Sequence, residues 1–153
     1  MKRYFNVFLV VLMLSSCSVK KNLETSAPFK LGAPFAQKWV IADNSEKEGY
    51  DLVIPILSLD EDDAILHNLY HHGKMTNVKI EMREIGMVAV AEFLSMEDLE
   101  KRQPDEQPFP FLLGEAEAVL SYLHNDKVRY IKINGIVQNP IISYPTLVAK
   151  RRN

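Results

Sequence analysis

The chain has 153 residues, 47% hydrophobic and 25% charged, the composition of an ordinary globular protein with room for one core. Its formal charge of -2, from 18 basic and 20 acidic residues, and the lack of a long basic run exclude the electrostatic footprint of a nucleic-acid binder; Lys150, Arg151 and Arg152 are too few to supply one. A lone cysteine, Cys17, excludes an intramolecular disulfide, so the fold has to be held by its core.

Met1-Lys2-Arg3 is a short positive start, and Tyr4 to Leu14 (YFNVFLVVLML) is an apolar run broken only by Asn6, the layout of a secretory signal. A membrane-spanning helix needs about 20 apolar residues, so this run is too short for a permanent span. Nor is it an amphipathic surface helix, because Val7 to Leu14 is apolar all round and small residues follow at once. Leu14-Ser15-Ser16-Cys17 then resembles the lipobox of bacterial lipoprotein precursors: an aliphatic residue, two small residues and the cysteine.

The resemblance covers the signal and cleavage site alone. It implies that residues 1–16 are removed as a signal peptide and that the Cys17 thiol takes a diacylglycerol, usually with a further acyl chain on the new amino group. Membrane lipid is then a partner through Cys17. One chain holds only marginally at ~0.8 kcal/mol per buried methylene, whereas two or three make attachment stable. Ser18, where an Asp would signal inner-membrane retention, favours the outer membrane facing the periplasm. Loss of Lys2 and Arg3 takes the basic count from 18 to 16 against 20 acids, leaving the mature chain mildly acidic.

Residues 17–34 carry Ser, Lys, Pro and Gly without an apolar period and read as the lipidated N-terminus and a flexible tether. Residues 35–153 are the expected globular domain. Phe35 to Ala42 and Tyr50 to Leu57 read as β-strands around a turn at Asp43 to Gly49, with Pro55 placing the second strand at an edge or a bulge. Asp60 to His72 is ambiguous. Ser58 or Asp60 as a cap, acids in a first turn, histidines in a last turn and Gly73 as a stop favour a helix, while Ala64 to Tyr70 also fits a strand. Val78 to Met82 and Met87 to Phe93 predict a hairpin about Glu84-Ile85-Gly86.

Ser95 to Pro110, dense in charge and proline, reads as a long surface connection, in which Ser95 and Asp98 could cap one helical turn. In Ala118 to Ile133 a turn at Asn125-Asp126 pairs Leu120 with Ile131, Ala118 with Ile133 and Leu123 with Val128; the last pair lies on the other face and needs cover of its own. A helical reading through Ala116, Val119, Leu120 and Leu123 competes with the hairpin, which is favoured. Tyr144-Pro145 marks a break before a last short strand. The fold class expected is mainly β, a small antiparallel sandwich or barrel-like domain with room for one short helix. The mature part loosely resembles small envelope lipoproteins with β-rich domains, a likeness that implies no activity.

The sharpest chemical constellation is Asp63, His67 and His71, with His72 beside it. On a helix the first three line one side; on a strand His67 and His71 still share a face. A metal there needs a further donor, for which His124 is the remaining histidine, and two histidines at i, i+4 without a fixed motif argue less for a metal than for an exposed polar face. Asp60-Glu61-Asp62-Asp63 lacks the glycine and closing glutamate of a calcium loop. There is no Gly-x-Ser-x-Gly elbow, and Glu115 and Glu117 read as a surface pair. Trp39, with Phe35 and Phe109-Pro110-Phe111, could form an aromatic platform for sugar or peptide, against which a buried anchor is the plainer reading. No motif asks for a cofactor or assigns a catalytic residue. The expectation is a lipid-anchored binding or structural module with an envelope protein or glycan as partner; the alternative is a metal-dependent protein or hydrolase using His67 and His71.

Overall fold

A computed structural model describes residues 21–42, 47–94 and 110–152. The expected signal segment, Cys17, most of the turn after Ala42, and the expected Ser95 to Phe109 connection with its Ser95/Asp98 cap lie outside the described residues. The strands are β1 (Leu23–Glu24), β2 (Lys30–Leu31), β3 (Phe35–Ile41), β4 (Glu48–Ser58), β5 (Ile65–His71), β6 (Lys74–Asn77), β7 (Lys79–Arg83), β8 (Gly86–Leu94), β9 (Glu117–His124), β10 (Lys127–Asn134) and β11 (Val137–Tyr144), followed by helix α1 (Leu147–Arg152).

Two sheets form a sandwich, the first in the order β1-β10-β9-β5-β6 and the second in the order β11-β3-β4-β8-β7, with β2 added to β4. The barrel alternative does not apply, and the pairing is antiparallel except at two edge strands, where β1 on β10 and β11 on β3 run parallel. Inward residues of both sheets meet in one core: Leu52, Ile54, Ala89, Ala91 and Phe93 from the second against Leu66, Leu69, Ala118, Leu120, Tyr122 and Ile133 from the first. Each fully buried large apolar side chain stabilises by roughly 1.5–3 kcal/mol, which lets the sandwich stand without a disulfide.

Both expected hairpins form. β9 and β10 have the predicted register, Leu120 opposite Ile131, Ala118 opposite Ile133 and Leu123 opposite Val128. Asn125 and Asp126 take φ of 51° and 57°, the left-handed pair that a two-residue hairpin turn consistent with strand twist requires. β7 and β8 pair from Arg83 opposite Gly86 to Lys79 opposite Val90.

Four expectations are corrected. Residues 23–31, assigned to the tether, belong to the folded body: Leu23 pairs with Tyr130, Leu31 with Ile56, and Phe29 is buried edge-on against Tyr122 at 4.9 Å. Two-residue strands are too short to leave a period in the sequence. Pro55 lies in a central strand, yet its carbonyl accepts from Gly32 N at 2.8 Å, so its ring nitrogen faces the break between β3 and β2, where no donor is needed. The 60–72 stretch is a strand: its acids fold into one turn, Asp62 N to Asp60 Oδ1 at 3.1 Å and Ala64 N to Asp60 O at 2.9 Å, and the chain then extends. After Tyr144-Pro145 comes helix, not strand, with Thr146 Oγ1 accepting from Ala149 N at 3.2 Å as its cap.

Candidate functional site

A pocket of about 620 Å³ opens between the β5–β6 turn of the first sheet and strands β3, β4 and β11 of the second. The β5–β6 turn (His71, His72, Lys74) forms one wall, Glu115, Ala116 and Ile136 another, and Lys38, Trp39, Val40, Glu48, Gly49, Tyr50, Leu94, Gln138 and Ile141 line the second-sheet side. Its size falls in the range of small-ligand sites.

His71 reaches this place because of a bulge. Along β5 both Leu66 and Leu69 enter the core, although a regular strand would point them to opposite faces. The irregularity is fixed by Ser121, buried on β9, whose hydroxyl accepts from Asn68 N at 3.0 Å and donates to Asn68 O at 3.2 Å. Alternation restarts at Leu69, so His71 follows it inward while Tyr70 turns outward onto Phe111 and Val119. His67 is exposed, and the expectation that His67 and His71 share a face fails at this bulge.

Asp63 is also elsewhere. It holds His124, whose Nδ1 lies 2.8 Å from the Asp63 carbonyl oxygen and 3.2 Å from its carboxylate. Asp63, His67 and His71 thus do not converge, and among the described residues no group of three or more His, Cys, Asp or Glu side chains could hold a metal ion. Glu117 does not pair with Glu115 either: it accepts from Gly114 N at 2.8 Å and meets Lys132 at 2.6 Å, and these two contacts hold its carboxyl below the usual carboxylate range.

His71 is 1% exposed. Its Nδ1 stands 2.9 Å from Tyr50 Oη, and the Tyr50 ring stacks on Phe93 at 4.9 Å. Burial pulls the His71 pKa down to about 4, the neighbouring His72 adds to the effect and the Glu115 carbonyl opposes it. Burial also pushes the Tyr50 phenol up. At neutral pH both groups are therefore uncharged. The phenol proton is then the natural donor to Nδ1, and the imidazole proton belongs on Nε2. That nitrogen is buried and makes no hydrogen bond of full geometry among the described residues, the Glu115 carbonyl acting on the ring only as the smallest of the three influences on its pKa; this is a costly arrangement for a polar atom.

His72 stacks on His71, ring centroids 3.9 Å apart, with its Nε2 3.1 Å from the Glu115 carbonyl. It sits at φ 47° beside Gly73 at φ 75° in the turn between the strands. This is a left-handed conformation that non-glycine residues adopt at a cost. Lys74 Nζ donates to Leu94 O at 2.8 Å, and burial lowers its pKa. Gly49 is there because a side chain cannot be: a Cβ would stand 2.4 Å from Phe93 O and 2.7 Å from Trp39 Cζ2.

No family model, curated protein or solved structure matches this chain. The site's chemistry therefore has to be read from its own residues. No Ser, Thr or Cys is among the described residues that line the pocket; the hydroxyl beside His71 is the Tyr50 phenol, whose pKa burial pushes up, so it is held as a proton donor rather than activated as a nucleophile. The arrangement suits recognition: an aromatic wall, one buried neutral donor, and lysine and glutamate side chains at the rim.

The aromatic platform does not assemble. Trp39 is 2% exposed, donates to Asp51 Oδ1 at 2.9 Å, and lies under Lys150, whose Nζ is 4.3 Å from the ring centroid and 3.2 Å from Asp51. Phe111 packs in the other sheet on Tyr70, and Phe35 joins Val53, Val88 and Val90; Phe109 lies outside the described residues. Trp39 is a buried anchor. The residues that sequence reasoning missed are Tyr50, Gly49 and Lys74; Gly49-Tyr50 inside a β-branched strand is the one local signal of a close approach there.

Proposed function

We propose that this chain is an envelope lipoprotein held by lipid on Cys17, whose folded part is a non-catalytic binding module using the Tyr50–His71 pocket. One observation carries the binding half: a pocket of about 620 Å³ whose wall contains a 1% exposed neutral histidine with an unpartnered nitrogen. The ligand class that fits offers an oxygen acceptor, carbonyl or carboxylate, to His71 Nε2, with a flat or apolar body against Tyr50. His72 stacks on the same imidazole from a left-handed turn, so a ligand bound at His71 would also be felt by the His72 ring. The anchor half rests on the Leu14-Ser15-Ser16-Cys17 motif, and Ser18 after it favours the outer membrane, facing the periplasm. The separation of Asp63, His67 and His71 removes the support for the metal-dependent alternative.

The test is a set of N-acetyl dipeptides and small aryl carboxylates, titrated into the full chain in detergent micelles and read through the imidazole ¹⁵N resonances. The proposal expects at least one class to move His71 Nε2 and His72 together, with His71→Phe abolishing the response. It fails if none of the set perturbs these rings, or if binding persists unchanged in His71→Phe.

A further inference from the structure

The outer face of the first sheet carries an apolar row that no described residue covers. Ile65 is directly opposite Leu123, and Leu123 opposite Val128, across three neighbouring strands. Ile65 and Val128 are 51% and 50% exposed. All three point away from the core, since Leu66, Leu120 and Tyr122 beside them point into it. Along the same face Leu23, 42% exposed, is registered with Tyr130. Further on, this face does have cover: Phe111 and Leu113 pack on Tyr70, Val119 and Tyr130. Cover is therefore the rule on this face, and the Ile65–Leu123–Val128 end is the exception.

The position of the anchor says what completes it. Cys17 precedes Lys21 by four residues, and a fully extended chain spans at most ~3.6 Å per residue, so the lipid-bearing residue stays within about 14 Å of Lys21. Lys21 sits on this very face, its Nζ 4.8 Å from the Tyr130 ring centroid and 5.5 Å from that of Tyr70. The chain thus enters the fold on the face with the uncovered row, on a leash of at most about twice the depth of a headgroup layer. Charges near the row are mixed, Lys127 and Lys21 against Asp63 and Asp126, which favours apolar contact over attraction to anionic lipid.

We propose that the outer face of the first sheet is a membrane-docking face, with Ile65, Leu123 and Val128 resting in the headgroup layer of the bilayer that holds the Cys17 acyl chains. The proposal rests on Cys17 being lipid-modified, as proposed above. His71 ends the strand that Ile65 begins, and six residues of strand at ~3.3 Å each put the pocket about 20 Å from the row, on the inner side of the sheet. Docking by this face leaves the pocket open to the aqueous space.

The experiment uses the full chain, acylated in a bacterial host, with a single added thiol at Val128→Cys or at Ile65→Cys; lipid on Cys17 leaves the new thiol the only one to label. The control thiol is Leu57→Cys, 69% exposed on β4 of the second sheet and outside the pocket. Each labelled protein is placed in phosphatidylcholine vesicles containing headgroup-nitroxide lipid, and quenching of the fluorophore is measured. We expect quenching at 128 and at 65 at least threefold greater than at 57, and unchanged by 0.5 M salt. Equal quenching at the three positions overturns the docking face. So does a label at 128 that is shielded from aqueous quencher yet not quenched by the lipid nitroxide, which would assign the row to a second copy or to another part of the chain. Intact mass of the same samples separates the two ideas: acyl mass with equal quenching sinks the face and leaves the anchor, whereas absence of acyl mass sinks both.

Discussion

Lowering the pH through the range in which His71 titrates in the unfolded chain should cost this protein stability, and the structure sets the size of the loss. In the unfolded state the imidazole titrates near 6.5; in the folded state burial holds it down to about 4. Between those values the unfolded chain binds a proton that the folded one refuses, so stability is complete above pH 6.5 and falls as pH drops toward 4. At ~1.36 kcal/mol per pH unit the gap is worth about 3 kcal/mol. Pocket solvent screens part of it, which makes about 2 kcal/mol the working figure. Urea unfolding at pH 7.5, 6.5, 5.5 and 4.5, on the full chain and on His71→Phe, isolates the contribution from the other histidines and carboxylates. The difference in stability between the two proteins should shift by about 2 kcal/mol toward the variant on acidification. A difference that stays constant across this range would refute the reasoning, as would an NMR titration placing His71 near 6.5.

Ser121→Ala removes both hydrogen bonds of the β5 bulge and strands Asn68 N; a loss of about 1–3 kcal/mol in urea unfolding is expected, with the His71 resonances shifted because the bulge sets its facing. Gly49→Ala drives a Cβ into Phe93 O and the Trp39 ring, and the cost of ~1–3 kcal/mol for overpacking should come with altered Trp39 fluorescence. Asp126→Gly relieves a left-handed residue at φ 57° and should stabilise by roughly 0.5–1 kcal/mol, read as a higher melting temperature.

What was legible in the sequence is what local pattern governs. The β7–β8 and β9–β10 hairpins follow from alternation closed by turn residues, and Asn125-Asp126 identified its turn because both types tolerate positive φ. The 60–72 stretch misled for a physical reason. Its helix cues are real, but the acids satisfy a single turn around Asp60, and Gly73 serves a tight hairpin with His72 rather than a helix end. The site was illegible because its parts meet only through packing. Tyr50 and His71 are brought to 2.9 Å by two different sheets, and the inward turn of His71 is decided by Ser121, 53 residues along the chain from Asn68. A one-residue bulge reverses every later facing on a strand, and nothing within Ile65–His71 announces it. The helix after Tyr144 did carry a signal, Thr146 ahead of Leu147 to Lys150, that outranks the proline break.

Acylation of Cys17 is what most directly separates a membrane-anchored protein from an untethered one. Intact mass and membrane fractionation of the full-length chain, beside Cys17→Ala, should give a mature species that starts at residue 17, carries added acyl mass and sediments with membranes, all of which the variant loses. An unmodified protein that stays in the soluble fraction, identical in behaviour to Cys17→Ala, would contradict the account and return Cys17 to the status of a free thiol.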